Sequence, residues 1–95
     1  MVHSLSSRIT VNDDVLFQDL NGEGVLLNLK SGVYFGLNQV GTRVWQLLEE
    51  HSVLAEILDR LLEEFDVPSE ECSRDLLNLV LEMEQQGLVT ISANQ

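Results

Sequence analysis

Three short apolar segments, at 15–20, 25–29 and 33–37, are separated only by Asn21-Gly22-Glu23-Gly24 and Lys30-Ser31-Gly32. Connections that short cannot carry a crossover, so neighbouring segments must pair antiparallel, and the stretch predicts a three-stranded meander. In the second segment Val25, Leu27 and Leu29 share one face, and in the third Val33, Phe35 and Leu37 do. These six are expected to form the inner surface of the sheet. Leu26, Asn28, Tyr34 and Gly36 then make a half-polar outer face, with Tyr34 its one large aromatic.

After Leu37 the apolar period changes from two to about 3.6 residues. Asn38 can cap a first helix at 39–50, in which Val40, Val44, Leu47 and Leu48 recur at helical spacing beside Trp45. Ser52 offers a second cap, and Leu54, Ile57, Leu58, Leu61, Leu62 and Phe65 build an amphipathic helix that ends near Asp66. Val67-Pro68 interrupts the pattern, because the residue before proline avoids the helical region. Ser69 is expected to cap a third helix with Glu70 and Glu71 in its first turn, and Gly87 to end it. The run Leu88-Val89-Thr90-Ile91 reads as a short strand returning to the sheet. The order, a sheet first and then three helices on short connections, predicts an α+β domain of winged helix-turn-helix-like type. Residues 1–12 have no sustained period and read as a flexible lead-in, although Ile9 and Val11 allow a short edge strand; the domain proper is expected at 13–92.

Composition removes several function classes. The chain has 95 residues, enough for one core, and five Lys and Arg against sixteen Asp and Glu give a net charge of −11. The helix pair that a DNA-binding protein of this architecture would use carries Asp59, Glu63, Glu64, Asp66, Glu70, Glu71, Asp75, Glu82 and Glu84 against Arg60 and Arg74. Nucleic acid is therefore not an expected partner. No apolar run approaches the roughly 20 residues of a membrane span, and residues 1–12 lack a secretory signal. With one cysteine, Cys72, no internal disulfide can form, which fits a cytoplasmic protein.

A catalytic constellation is equally missing. His3 falls in the lead-in and His51 in the turn between two helices, and a catalytic role for either would need an oriented partner that the sequence does not mark. Cys72 falls in the first turn of the third helix and reads as a small buried hydrophobe. Gly22-x-Gly24 is not followed by a helix and is a turn, not a phosphate cradle. Nothing has metal-ligand spacing, and no cofactor is expected. What remains is shape. At about 100° per residue, Cys72, Leu76, Leu79, Val80 and Met83 fill one sector of the third helix, and Leu77, Leu81 and Leu88 widen the arc to roughly 200°, twice what one packing face needs. The surplus either packs under the other helices or lines a groove. A groove whose second wall is a strand, with 33–37 as the candidate, would offer unpaired main-chain groups to an extended peptide.

The run Leu26-Leu27-Asn28-Leu29-Lys30-Ser31-Gly32-Val33-Tyr34-Phe35-Gly36-Leu37-Asn38, continued by Val40-Gly41-Thr42-Arg43-Val44-Trp45-Gln46-Leu47-Leu48, resembles the PqqD-like family. These are the recognition elements of ribosomally made, post-translationally modified peptide (RiPP) pathways. Ile57-Leu58, Leu61, Phe65-Asp66-Val67, Leu79, Met83 and Gly87-Leu88-Val89 continue the family outline. The resemblance implies a non-catalytic protein that holds the leader of a precursor peptide as an added strand and passes it to a separate leader peptidase or modifying enzyme. By position, Val33, Tyr34, Phe35, Gly36 and Leu37 would supply the pairing edge, and Leu76, Leu79, Val80 and Met83 the helical wall, with Leu77 and Leu81 as the other available sector. The small size is similar to discrete proteins of lasso-peptide clusters. A chaperone for a radical enzyme in pyrroloquinoline quinone-like synthesis, or a winged-helix interaction or regulatory domain, stands as the alternative. Without peptide, an exposed groove is expected to favour homodimers.

Overall fold

The computed structural model describes residues 7–92. Along them run β1 (Arg8–Val11), β2 (Val15–Leu20), β3 (Glu23–Asn28), β4 (Val33–Gly36), α1 (Gln39–Leu48), α2 (Leu54–Glu64), α3 (Ser69–Gln85) and β5 (Val89–Ser92). This is an α+β chain with a small antiparallel sheet and three helices. β2, β3 and β4 form the expected meander in that order, and β1 pairs antiparallel with β5 in a separate two-stranded ribbon.

The register corrects the expected faces of the sheet. Leu26 lies opposite both Phe17 and Phe35, and Leu27 lies opposite Leu16 and Tyr34. The inner side of β3 is therefore Gly24, Leu26 and Asn28, not Val25, Leu27 and Leu29; Leu26 is fully buried whereas Leu29 is 58% exposed. Hydropathy misassigns this strand because two of its three inner positions are not apolar. Gly24 sits where a Cβ would collide with the Phe17 ring, and its N–H donates to Thr42 Oγ1 at 2.6 Å, which brings α1 close to the sheet. Asn28 donates through Nδ2 to the Gln86 carbonyl at 2.9 Å and accepts from the N–H groups of Lys30 and Ser31. One buried amide thus fixes the β3–β4 turn and the end of α3 together. On β4 the expected inner set holds in part, with Leu37 buried, Phe35 packed partly on the core and Val33 exposed.

The helices follow their apolar periods. Asn38 caps α1, its Oδ1 accepting from Gly41 N–H at 2.8 Å. Ser52 does not cap α2. The cap residue is Val53 without a side-chain bond, because the Ser52 carbonyl accepts from Ile9 N–H and its hydroxyl from Arg8. Pro68 takes the cap position of α3, one residue before the expected Ser69. At the other end Gly87, with φ of 75°, lets Leu88 N–H reach the Met83 carbonyl and its own N–H reach that of Glu84, a closing turn that an L side chain would strain.

Two further expectations change at the chain ends. Arg8–Val11 belongs to the fold, with Ile9 only 2% exposed, so the ordered chain begins ahead of residue 13. The rest of the lead-in, residues 1–6 with His3, lies outside the described residues. The last strand returns to β1 and not to the three-stranded sheet, with Ile9 opposite Ile91 and Val11 opposite Val89. The core joins Leu26 of the sheet to Trp45, Leu54, Ile57 and Met83 of the three helices.

Candidate functional site

β4 is an edge strand: among the described residues nothing pairs on its outer side. Its register decides which main-chain groups face that side. Leu37 N–H donates to the Gly24 carbonyl at 2.8 Å, so Leu37, Phe35 and Val33 belong to the pairs bonded to β3. The alternating residues, Tyr34 and Gly36, then direct both N–H and C=O away from the sheet. Short as it is, the edge offers four main-chain groups in line, and no proline or lysine on it discourages pairing. The Tyr34 side chain points to the outer face and is 69% exposed; there it joins Leu16, Leu20 and Leu29, each more than half exposed.

The helical side divides the expected residues. Half-buried Leu79, and Leu76 with only 3% of its surface exposed, line a cavity of about 330 Å³, whereas Val80 and Met83, at 1% and 0% exposure, belong to the core and do not line it. That narrows the expected wall: Val80 and Met83 are buried in the core, while Cys72, Leu76 and Leu79 share the cavity lining with Val40 and Val44 of α1. Leu77 is half-buried against the core on the other sector. The cavity also takes Val40 and Val44 from α1 and Phe65 and Val67 from the end of α2 and the loop after it. Asn38, the cap of α1 two residues past β4, contributes to the same rim, which puts the cavity beyond the C-terminal end of that strand. Val40 and Val67 at this mouth are apolar yet about 40% exposed; the helical period alone places Val40 with the core, and Val67 reads only as the residue before Pro68.

The charges around the cavity are of one sign. Glu71 and Asp75, a helical turn apart on α3, reach its rim, and the lining includes no Lys or Arg. Arg43 of α1 is engaged with Glu64 of α2 in a two-pronged pair, Nε to Oε1 at 2.7 Å and Nη2 to Oε2 at 2.8 Å. That hydrogen-bonded guanidinium holds the Glu64 carboxyl below the usual carboxylate range. On the cavity floor, burial, followed by the negative charge of Asp75, pushes the Cys72 thiol above its ordinary pKa, which keeps it protonated and unreactive at neutral pH. Among the described residues no cluster of His, Cys, Asp or Glu has the arrangement to hold a metal ion, and no helix is long and apolar enough to cross a membrane.

An open strand edge with an apolar cleft beyond its end, on a small α+β scaffold, is an arrangement able to accept an added strand. The chain belongs to the PqqD family: the family model described as coenzyme PQQ synthesis protein D matches residues 23–89, from β3 to the start of β5. A solved structure of TbiB1 in complex with the TbiA(beta) leader peptide is similar, with 35% identity and a TM-score of 0.82 over 90% of this chain and 99% of that one. A lasso peptide synthetase B1 complexed with the leader peptide matches at 26% identity and a TM-score of 0.72, covering 87% of this chain and 98% of that one. No curated protein sequence matches the chain.

Proposed function

We propose that this protein binds the leader region of a ribosomally synthesised precursor peptide in lasso peptide biosynthesis, taking it up as an antiparallel strand on β4. The observation that carries the reading is the pair Tyr34 and Gly36, whose main-chain groups face an edge unpaired among the described residues, with the cavity beyond its Asn38 end. Val33, Phe35 and Leu37 hold that edge in place from the β3 side, and Leu76 and Leu79 are the helical contacts for inward-facing leader side chains. The similarity to two proteins solved with leader peptides favours the lasso pathway over a pyrroloquinoline quinone-like one.

The protein acts without chemistry of its own and passes the leader to a separate leader peptidase or other modifying enzyme in the cytoplasm. A captured strand would prolong the outer face that bears Leu16, Leu20 and Tyr34, and that enlarged apolar face is the surface available to the receiving enzyme. The helices and sheet are read as a winged helix-turn-helix-like arrangement in which the wing, not the helix pair, makes the contact. Titration of fluorescently labelled leader segments from precursor genes beside the coding sequence tests this. Binding should come with slowed amide exchange at Tyr34 and Gly36, and the absence of binding by every neighbouring leader would remove the reading.

A further inference from the structure

Resting on the strand-addition reading above, we propose that Asn28 is a positioning residue for peptide capture: its buried amide fixes where α3 stands along β4, so that the two walls of the groove are aligned before a peptide arrives. The side chain is 8% exposed and occupies an inner position of β3 that an apolar residue would fill without losing hydration. Each end of the amide serves a different wall. Oδ1 accepts from Lys30 N–H at 3.0 Å and Ser31 N–H at 3.3 Å, while the Asn28 carbonyl accepts from Gly32 N–H at 2.7 Å, so the N–H groups of the turn before β4 all end on this residue. Nδ2 donates to the Gln86 carbonyl at 2.9 Å, at the C-terminal cap of α3. Gly87 leaves room for that bond, since a Cβ there would come within 2.9 Å of Nδ2.

The alignment rests on two contact points. Asn28 is paired with Val33, the first residue of β4, and its amide holds the C-terminal end of α3 there. Past the other end of β4, Asn38 shares the cavity lining with Leu76 and Leu79 of α3. From Gln86 back to Leu76 the helix covers about 15 Å, and from Val33 to Asn38 the strand covers about 16 Å, so the two walls run over matching lengths in opposite directions. Val80 and Met83 hold α3 to the core through apolar contacts, which do not fix its position along its own axis. A hydrogen bond has direction and length, and the amide supplies one at the end of the helix nearest the start of β4. The Lys30–Asp14 ion pair that also reaches the turn joins side chains 79% and 47% exposed and adds little to this. Walls aligned in advance spare the peptide the cost of ordering them, which is how a buried side chain raises affinity.

The test is a double-substitution cycle on the full chain, read by fluorescence anisotropy of a labelled leader segment encoded beside the coding sequence. Asn28→Asp keeps an acceptor for the turn and loses the donor to Gln86; Asn28→Ser, uncharged, keeps a weaker turn acceptor, is too short to reach α3, and carries the test if the added carboxylate unfolds the chain. Each should bind the leader about three- to tenfold more weakly while still melting cooperatively. The cycle then separates positioning from support of the fold. Leu79→Ala, on the α3 wall, should weaken binding about fivefold or more in the natural chain, but only about twofold or less once the Asn28 tie is gone. Gly36→Pro, on the strand wall, should cost the same factor in both backgrounds. Equal Leu79→Ala factors with and without the tie, a Gly36→Pro factor that shrinks just as much, or unchanged affinity of the folded Asn28 variants would overturn the proposal and leave strand addition intact. No binding by any such leader, or full binding by Gly36→Pro, would remove the strand-addition reading itself, and this proposal with it.

Discussion

The backbone claim at β4 can be tested at one atom. Gly36 directs its N–H away from β3, so replacing it with proline removes a donor that the native sheet does not use and puts ring carbons where an incoming strand must lie. Proline is tolerated on sheet edges for this reason, and the preceding Phe35 already has the extended conformation that proline demands of its neighbour. The expected loss has two parts. One net hydrogen bond is worth about 0.5–1.5 kcal/mol, and stranding the peptide carbonyl that would have accepted it costs about 1–3 kcal/mol more where water cannot replace the donor. Even the lower sum, about 1.5 kcal/mol, weakens binding by roughly tenfold. Gly36→Ala is the control: its methyl group meets no atom within 4 Å and the N–H remains, so affinity should stay within about twofold. Fluorescence anisotropy of a labelled leader gives the affinities, and thermal unfolding followed by circular dichroism shows whether each variant is folded. A Gly36→Pro protein that melts cooperatively near the natural temperature and still binds at full strength would refute main-chain capture at this edge.

Other perturbations separate binding from folding. Leu79→Ala should cost about 1–3 kcal/mol in leader affinity with a small change in stability, whereas Met83→Ala, in the core, should cost about 2–5 kcal/mol of stability in urea unfolding. Asn28→Ala removes the bond to the Gln86 carbonyl and two bonds from the turn, and should destabilise by about 1–3 kcal/mol in the same assay. Because burial and Asp75 push the Cys72 thiol above its ordinary pKa, only a small thiolate fraction exists at pH 8; alkylation by a maleimide should therefore keep accelerating into the alkaline range, and bound leader should slow it. An acceleration that levels off below pH 8 would contradict the burial argument. Without peptide, light scattering at rising concentration should show self-association through the open edge, and added leader should reverse it.

Much of the chain is written in local sequence. Turn chemistry at Asn21–Glu23 and Lys30–Gly32 dictates a meander, because so few residues permit no other connection, and the change of period at Asn38 dictates where helices begin. Local pattern also marks Gly87 as the end of α3, since the turn there needs a positive φ. The tertiary structure decided the rest, and in each case through a partner distant in sequence. Hydropathy put Leu27 inside and Leu26 outside; the approach of α1 to Gly24 and the bond from Asn28 to Gln86 reversed them. Periodicity placed Leu76, Leu79, Val80 and Met83 on one helical surface, but only packing shows that the last two are spent on the core while Leu79 turns to the cavity. Ser52 has the chemistry of a helix cap, yet β1 claims its carbonyl and hydroxyl. Local sequence fixes what each segment can be, because dihedral preference and periodicity act over a few residues. Which face is buried, and which edge stays open, depends on contacts that form only after the chain has closed on itself.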